Sequence, residues 1–328
     1  MLINRKNLIF PIQIFFSTSI LVWISLYLIK NPDLKPYIEL LNSINAFGFS
    51  IEPTIFIFST IAKFSALYLG LDPVFVFYFQ YIYLLQFFLL LGFYNILDKS
   101  IVKSSLILVV WMLVYGTVHC LIQIRFGLAN AIFIYLFSLL FVRVSSIKLY
   151  SIAIFGFFTH YSSVFAVCSL LLANFRKKIF NKNSYKLIHL SFILILLLFK
   201  FGSIFSFLPE FMLGRLSGYV GNNDVDQVST FSIYISIFCY IILIISPKIN
   251  NDRLNALKIY GALGFLPYFI VPELEIIVRL GIPFQYLLLP YLFLTFKLKK
   301  VAFFTTLPLL CFFSYKIFSN LNAFIGYL

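Results

Sequence analysis

Long, almost uncharged apolar runs recur from one end of this chain to the other, and they limit its fold more than any other feature. Runs such as "PVFVFYFQYIYLLQFFLLLGFY" (73–94) and "SLILVVWMLVYGTVHCLIQ" (105–123) are each long enough to cross roughly 30 Å of hydrocarbon as a helix. The chain has 328 residues, 62% hydrophobic and 11% charged. Soluble chains carry about 25% charge, so this one lacks the polar surface to face water. The runs are continuous rather than alternating, which excludes a transmembrane β-barrel. The expected fold is an all-α polytopic membrane protein, with residues 1–328 forming a single integral membrane domain.

The net charge of +14 does not point to nucleic acid, because the basic residues gather in short connections between apolar runs, as cytoplasmic loops do. Arg5 and Lys6 put the amino terminus inside, and the first apolar run continues to Ile29 without a small-residue cleavage site, which reads as an uncleaved first helix. Two stretches decide the rest. Residues 53–70, interrupted by Lys63, read as an interfacial or partly re-entrant helix. Residues 149–175 read as a pair of short helices turning at His160. Spans then fall near 8–29, 73–94, 104–122, 126–142, the 149–175 pair, 187–206, 229–246, 256–271, 280–296 and 301–318, which places 17 of the 25 Lys and Arg residues in the cytoplasm. The outer segments are about 30–72 and 207–228. Cys120, Cys168, Cys239 and Cys311 all lie in apolar segments without metal-ligand spacing and read as small core hydrophobes.

On this topology Arg125, in "IRFGLANA" (124–131), stands at the outer end of a helical hairpin. Other ionisable residues on that side include Asp33, Glu52, His160, Arg215 and Arg279. A charge at mid-membrane costs roughly 2.5–3.5 kcal/mol, so such residues point to a shared polar cavity. A guanidinium fork suits phosphate and pyrophosphate. Arg125 reads either as a snorkelling anchor or as a ligand group, and Gly127 and Ala129 beside it favour the second by leaving space. For Arg279 the alternative is pairing with Glu275 four residues earlier, and for Arg215 a solvated loop. His160 in "FFTHYSSVF" reads as a satisfied structural histidine or as a polar-cavity residue. No phosphate-binding glycine loop, nucleophile elbow or H-E-x-x-H occurs, and no metal or cofactor site is expected.

These segments resemble a known family. "RFGLANA" (125–131) is similar to the R-x-G-L-A signature of the EpsG-like branch of Wzy-type polysaccharide polymerases. "FFTHYSSVF" (157–165) resembles its F-H-x-S-A element, and "NPDLKPYIELL" followed by "SIEPTIFIF" resembles its outer loop. Order and spacing agree across residues 30–170; beyond them only Arg215 and Arg279 support the likeness. Ser163 stands where the family has alanine, and Tyr161 fills the variable position.

The resemblance implies a bacterial inner-membrane glycosyltransferase of GT-C-like architecture, with about 10–11 transmembrane helices, outer-face amphipathic or re-entrant segments and a periplasmic active site. Such enzymes make O-antigen, capsule or exopolysaccharide by moving a growing glycan from undecaprenyl pyrophosphate to the next lipid-linked repeat unit, with neither nucleotide sugar nor metal. The implied partners are that lipid-linked oligosaccharide, the bilayer and a chain-length regulator protein. A metal-free displacement needs fixed cations at the leaving pyrophosphate, for which Arg125, Arg215 and Arg279 are the candidates. Glu52 and His160 compete as the base for the acceptor hydroxyl, and Asp33 and Tyr37 are candidates to hold sugar hydroxyls. A lipid-linked oligosaccharide flippase and an O-antigen ligase would share the cationic cavity.

Overall fold

The computed structural model describes residues 5–43, 53–142, 144–160, 163–164, 166–168, 182–201, 228–296 and 299–327. They are helical almost throughout, with no strand among them. Helices Pro11–Leu28, Pro73–Ile96, Ile101–His119 and Phe304–Gly326 are long and apolar enough to cross a membrane. Large hydrophobic side chains such as Phe16, Ile20, Trp23, Leu113, Phe304 and Leu307 stand on the surface. An exterior this apolar is covered by lipid rather than water. The chain divides into two compact units, Met1–Val167 with Ser314–Leu328, and Cys168–Phe313.

In the first unit α1 (Arg5–Trp23) runs on into a π turn, Ile24–Leu28, followed by α2 (Leu34–Ser43) and α3 (Pro53–Leu69). Asp72 caps α4 (Pro73–Ile96) by accepting from the Val74 N–H at 3.0 Å, with Pro73 in the first helical position. α5 (Ile101–Trp111) continues through a second π turn, Met112–Gly116, to His119. α6 (Ile124–Leu139) is apolar on every side and buried along almost its whole length, as a helix without a polar face must be. α4 and α7 (Ser146–Thr159) pack against it. α1 is tied to α4 by Gln86, which donates to Thr18 Oγ1 at 2.9 Å and accepts from Ser17 Oγ at 2.6 Å, a polar interhelical contact suited to an apolar medium.

The expected break at His160 is present. α7 stops at Thr159, His160 takes an extended backbone, and helix resumes at Ser163. The 53–70 stretch is one unbroken helix, α3, whose end at Leu67–Leu69 is bare of packing. The 126–142 span begins two residues earlier than expected, so Arg125 lies within the first turn of α6.

The second unit contains α8 (Lys182–Lys200), α9 (Thr230–Ile245), α10 (Asp252–Leu263), α11 (Leu266–Ile270) and a row of short pieces, Glu275–Val278, Arg279–Gly281, Ile282–Tyr286 and Leu288–Thr295. The single spans expected at 256–271 and 280–296 are therefore interrupted. The two interruptions meet: a Cβ on Gly264 would lie 2.6 Å from the Gly281 carbonyl oxygen, and one on Gly281 2.4 Å from that of Gly264. Only glycine allows backbones this close. Gln285 Nε2 donates to the Gly264 carbonyl at 2.9 Å, satisfying a group that the helix break frees. The last helix, α12 (Lys299–Tyr327), contributes residues through Phe313 to this unit and from Ser314 to the first.

Candidate functional site

Arg125 lies over a tyrosine. Its Nε donates to the Tyr37 hydroxyl at 3.1 Å, and its guanidinium carbon stands 5.3 Å from the centre of the Tyr37 ring, within cation–π range. Tyr37 is buried and is walled by Phe77 and Tyr78, each with a ring centre 5.6 Å away. The Asp33 carboxylate and the Arg125 guanidinium both lie within electrostatic reach of the Tyr78 hydroxyl. Arg125 itself is half-buried. A cation in the first turn of a helix is opposed by the helix dipole, by about 0.3–1 kcal/mol. The same geometry puts the guanidinium and the partial positive charge of the α6 amino terminus side by side, an arrangement favourable to an anion.

Gly127 and Ala129 do not open space beside Arg125. A Cβ on Gly127 would lie 2.0 Å from the His119 carbonyl oxygen and 2.7 Å from Leu85 Cδ1, so this glycine exists to let α6 close onto the end of α5. Ala129 is buried in the same packing. The motif's small residues press its polar ones into place.

Phe126, next to Arg125, carries the site toward His160. Its ring meets the His160 imidazole edge-to-face at 5.5 Å, and the His119 imidazole in the same manner at 5.2 Å. His119 is stacked on Tyr115 at 5.8 Å. The start of α3 reaches the same place: Thr54 Oγ1 donates to the Phe158 carbonyl at 3.1 Å and accepts from Tyr81 OH at 3.3 Å. The Ser163 hydroxyl donates to the Gly156 carbonyl at 3.0 Å and is thereby accommodated in the break.

Of the residues singled out from the sequence, the first unit joins Tyr37 directly to Arg125, Asp33 to their surroundings, and His160 to Arg125's neighbour. Glu52 lies outside the described residues, one position before Pro53, where α3 begins close to the His160 break. Arg215 also lies outside them. Arg279 belongs to the second unit, in the single 3-10 turn Arg279–Gly281 beside the glycine crossing. Lys200 and Glu273 of that unit pair at 3.8 Å. Among the described residues no three His, Cys, Asp or Glu side chains gather as a metal site would require. Cys120 and Cys239 are buried as expected, whereas Cys168 and Cys311 are exposed.

Asn31, Tyr78, His119, Phe126 and Thr54 do not stand out in sequence. Asn31 precedes Pro32, a turn signal that could have drawn attention to it. The others are ordinary residues of apolar runs, and only tertiary packing distinguishes them. Compared with known protein families, with curated proteins and with solved structures, the chain matches none at a significant level.

Proposed function

We propose that this protein is an inner-membrane polysaccharide polymerase of the Wzy type, EpsG-like branch, with about 10–11 membrane crossings in a GT-C-like arrangement and its active site on the periplasmic face. One observation carries the reading. Three segments distant in sequence converge within one compact unit: Tyr37 against Arg125, Phe126 against His160, and Thr54 against the Phe158 carbonyl. They are the three segments on which the family resemblance rests.

In the proposed reaction a hydroxyl of the incoming lipid-linked repeat unit attacks the anomeric carbon of the growing glycan. The bond from that carbon to the undecaprenyl pyrophosphate oxygen breaks, and the pyrophosphate leaves as an anion. Arg125 holds it, with Tyr37 fixing the guanidinium beforehand so that no reorganisation is needed as charge develops. The hydroxyl proton passes to Glu52 or His160. Asp33 and Tyr37 are the proposed holders of sugar hydroxyls, and Arg215 and Arg279 are the further proposed cationic groups. A lipid-linked oligosaccharide transporter is the second reading, favoured by the paired helix interruptions at Gly264 and Gly281, because broken helices are the usual means of placing polar backbone at the membrane midplane.

Replacing Arg125 by Ala in the native host and resolving the surface polysaccharide on a gel tests the choice, with membrane abundance of the protein measured alongside. At normal abundance, collapse of the ladder to a single capped repeat unit, with loss of about 10²–10³-fold in polymer, supports the polymerase. An unchanged ladder removes Arg125 from the chemistry. Loss of even the single unit favours transport or ligation.

A further inference from the structure

We propose that Asn31 is the positioning residue of this site: one buried amide that fixes both partners of the Tyr37–Arg125 contact. Asn31 is 8% exposed. Its Nδ2 donates to the Leu121 carbonyl at 2.9 Å and to Ser25 Oγ at 2.9 Å, with the Tyr78 hydroxyl at 3.3 Å. Its Oδ1 accepts from the Asp33 N–H at 3.0 Å. The orientation of the amide follows from two neighbours with a single role each, since a peptide N–H can only donate and a carbonyl oxygen can only accept.

Two short routes lead from this amide to the site. On one, Asn31 holds the Asp33 N–H, and the Asp33 carbonyl accepts from the Tyr37 N–H at 3.2 Å, so the first turn of α2 and the Tyr37 ring are set from Asn31. On the other, Asn31 holds the Leu121 carbonyl in the tight turn that joins α5 to α6. There Gln123 N–H donates to the Val118 carbonyl at 2.8 Å and Ile124 N–H to that of Ile122 at 3.0 Å. Arg125 is the next residue. Ser25, in the π turn that ends the first helix, also donates to the Leu121 carbonyl, so hydroxyl, amide and carbonyl form a closed triangle in which each bond polarises the next.

An asparagine that merely capped α2 would need only the Oδ1 bond. Two of the Nδ2 contacts reach segments 47 and 90 positions away in the chain, and those segments carry the wall and the cation of the site. As a statement about where Arg125 is held, the proposal is independent of function; as a statement about ligand binding, it rests on the reading above.

Arginine-directed modification with phenylglyoxal in phosphate-free buffer, quantified peptide by peptide on the purified full chain, separates the two. Asn31→Asp keeps the shape and the Oδ1 acceptor but faces the Leu121 carbonyl with a carboxylate. Modification of Arg125 should then rise about tenfold, the scale set by losing one or two buried hydrogen bonds, while Arg253 in the second unit keeps its rate. Asn31→Ala removes the same donor without adding charge and gives the same readout if the Asp variant does not accumulate. Tyr78→Phe deletes the longest of the three contacts and should stay within about twofold of wild type. An unchanged Arg125 rate in both Asn31 variants overturns the proposal, as does an equal rise at Arg125 and Arg253, which means general loosening. Inorganic pyrophosphate added to the wild type should protect Arg125. Absence of protection overturns the pyrophosphate role and leaves the positioning role standing on the Asn31 variants.

Discussion

Two cations in this chain look alike in sequence and differ in every physical respect. Lys258 lies in α10 and is 4% exposed, with its ammonium donating to the Ser246 carbonyl, Ser246 Oγ and the Pro247 carbonyl, each at 3.1 Å. Those oxygens sit at the carboxyl end of α9, where a positive charge also meets the favourable end of the helix dipole. An ammonium has three protons to donate, and here all are engaged by oxygens of the adjoining turn. Arg125 is half-buried, lies on an aromatic face and spends its Nε on a neutral phenol. The lysine closes a helix end. The arginine is held in position against the Tyr37 ring and hydroxyl. A charge in an apolar chain is therefore no sign of function by itself; what matters is the kind of surroundings that hold it.

Placement can be broken before charge is touched. Gly127→Ala puts a methyl group where the His119 carbonyl stands, and the expected loss is about 3 kcal/mol or more, because backbone cannot yield as a side chain does. Thermal unfolding in detergent should show the largest drop of any variant considered, with little folded protein recovered.

The cations themselves come next. Lys258→Met keeps the volume and strands the Ser246 and Pro247 carbonyls, while the Ser246 hydroxyl keeps its bond to the Leu243 carbonyl, an expected cost of about 2–3 kcal/mol. Arg125→Met removes the cation–π contact with Tyr37 and the Nε bond to its hydroxyl, which together contribute about 1 kcal/mol. Measured side by side, the lysine variant should unfold at the lower temperature and the arginine variant should lose more polysaccharide. Equal thermal losses would erase the distinction drawn between them.

The smallest change sharpens it. Tyr37→Phe keeps the ring under the guanidinium and removes only the hydroxyl that Nε holds, about 0.5–1.5 kcal/mol. Under the proposed polymerase function, the polysaccharide ladder should shorten without disappearing. A ladder as empty as that of the Arg125 variant would make the Tyr37 hydroxyl a participant rather than a rest for the guanidinium.

Much of the helical frame was legible because apolar run length and turn residues suffice for it. The 73–94 run became Pro73–Ile96, the 229–246 run became Thr230–Ile245, and the break at His160 is where "FTHYSS" interrupts hydrophobicity. The interruption at Gly264 was missed because "YGALGFLPYFI" stays apolar across it; the signal was Pro267, which sits at the start of the resumed helix. The two π turns left no trace, since an extra residue in a helical turn does not alter an already uniform apolar pattern. At the site, Arg125, Tyr37 and His160 were nameable from residue type and motif. Asn31 was not, because its partners at 78 and 121 become neighbours only after folding. In sequence Lys258 is one basic residue at the start of an apolar run, and the acceptors that bury it come from the turn after a different helix.

The first unit is completed by residues 314–327 of α12. Asn320 Nδ2 donates to the Val114 carbonyl in the second π turn, across 206 residues of sequence, and Phe324 packs on Ile29, Leu121 and Ile122. During synthesis the helices that carry Tyr37, Arg125 and His160 therefore leave the ribosome, and the whole second unit follows them, before the segment that completes their packing exists. Maturation of the site therefore waits on residues 320–324, which are made only after the whole second unit.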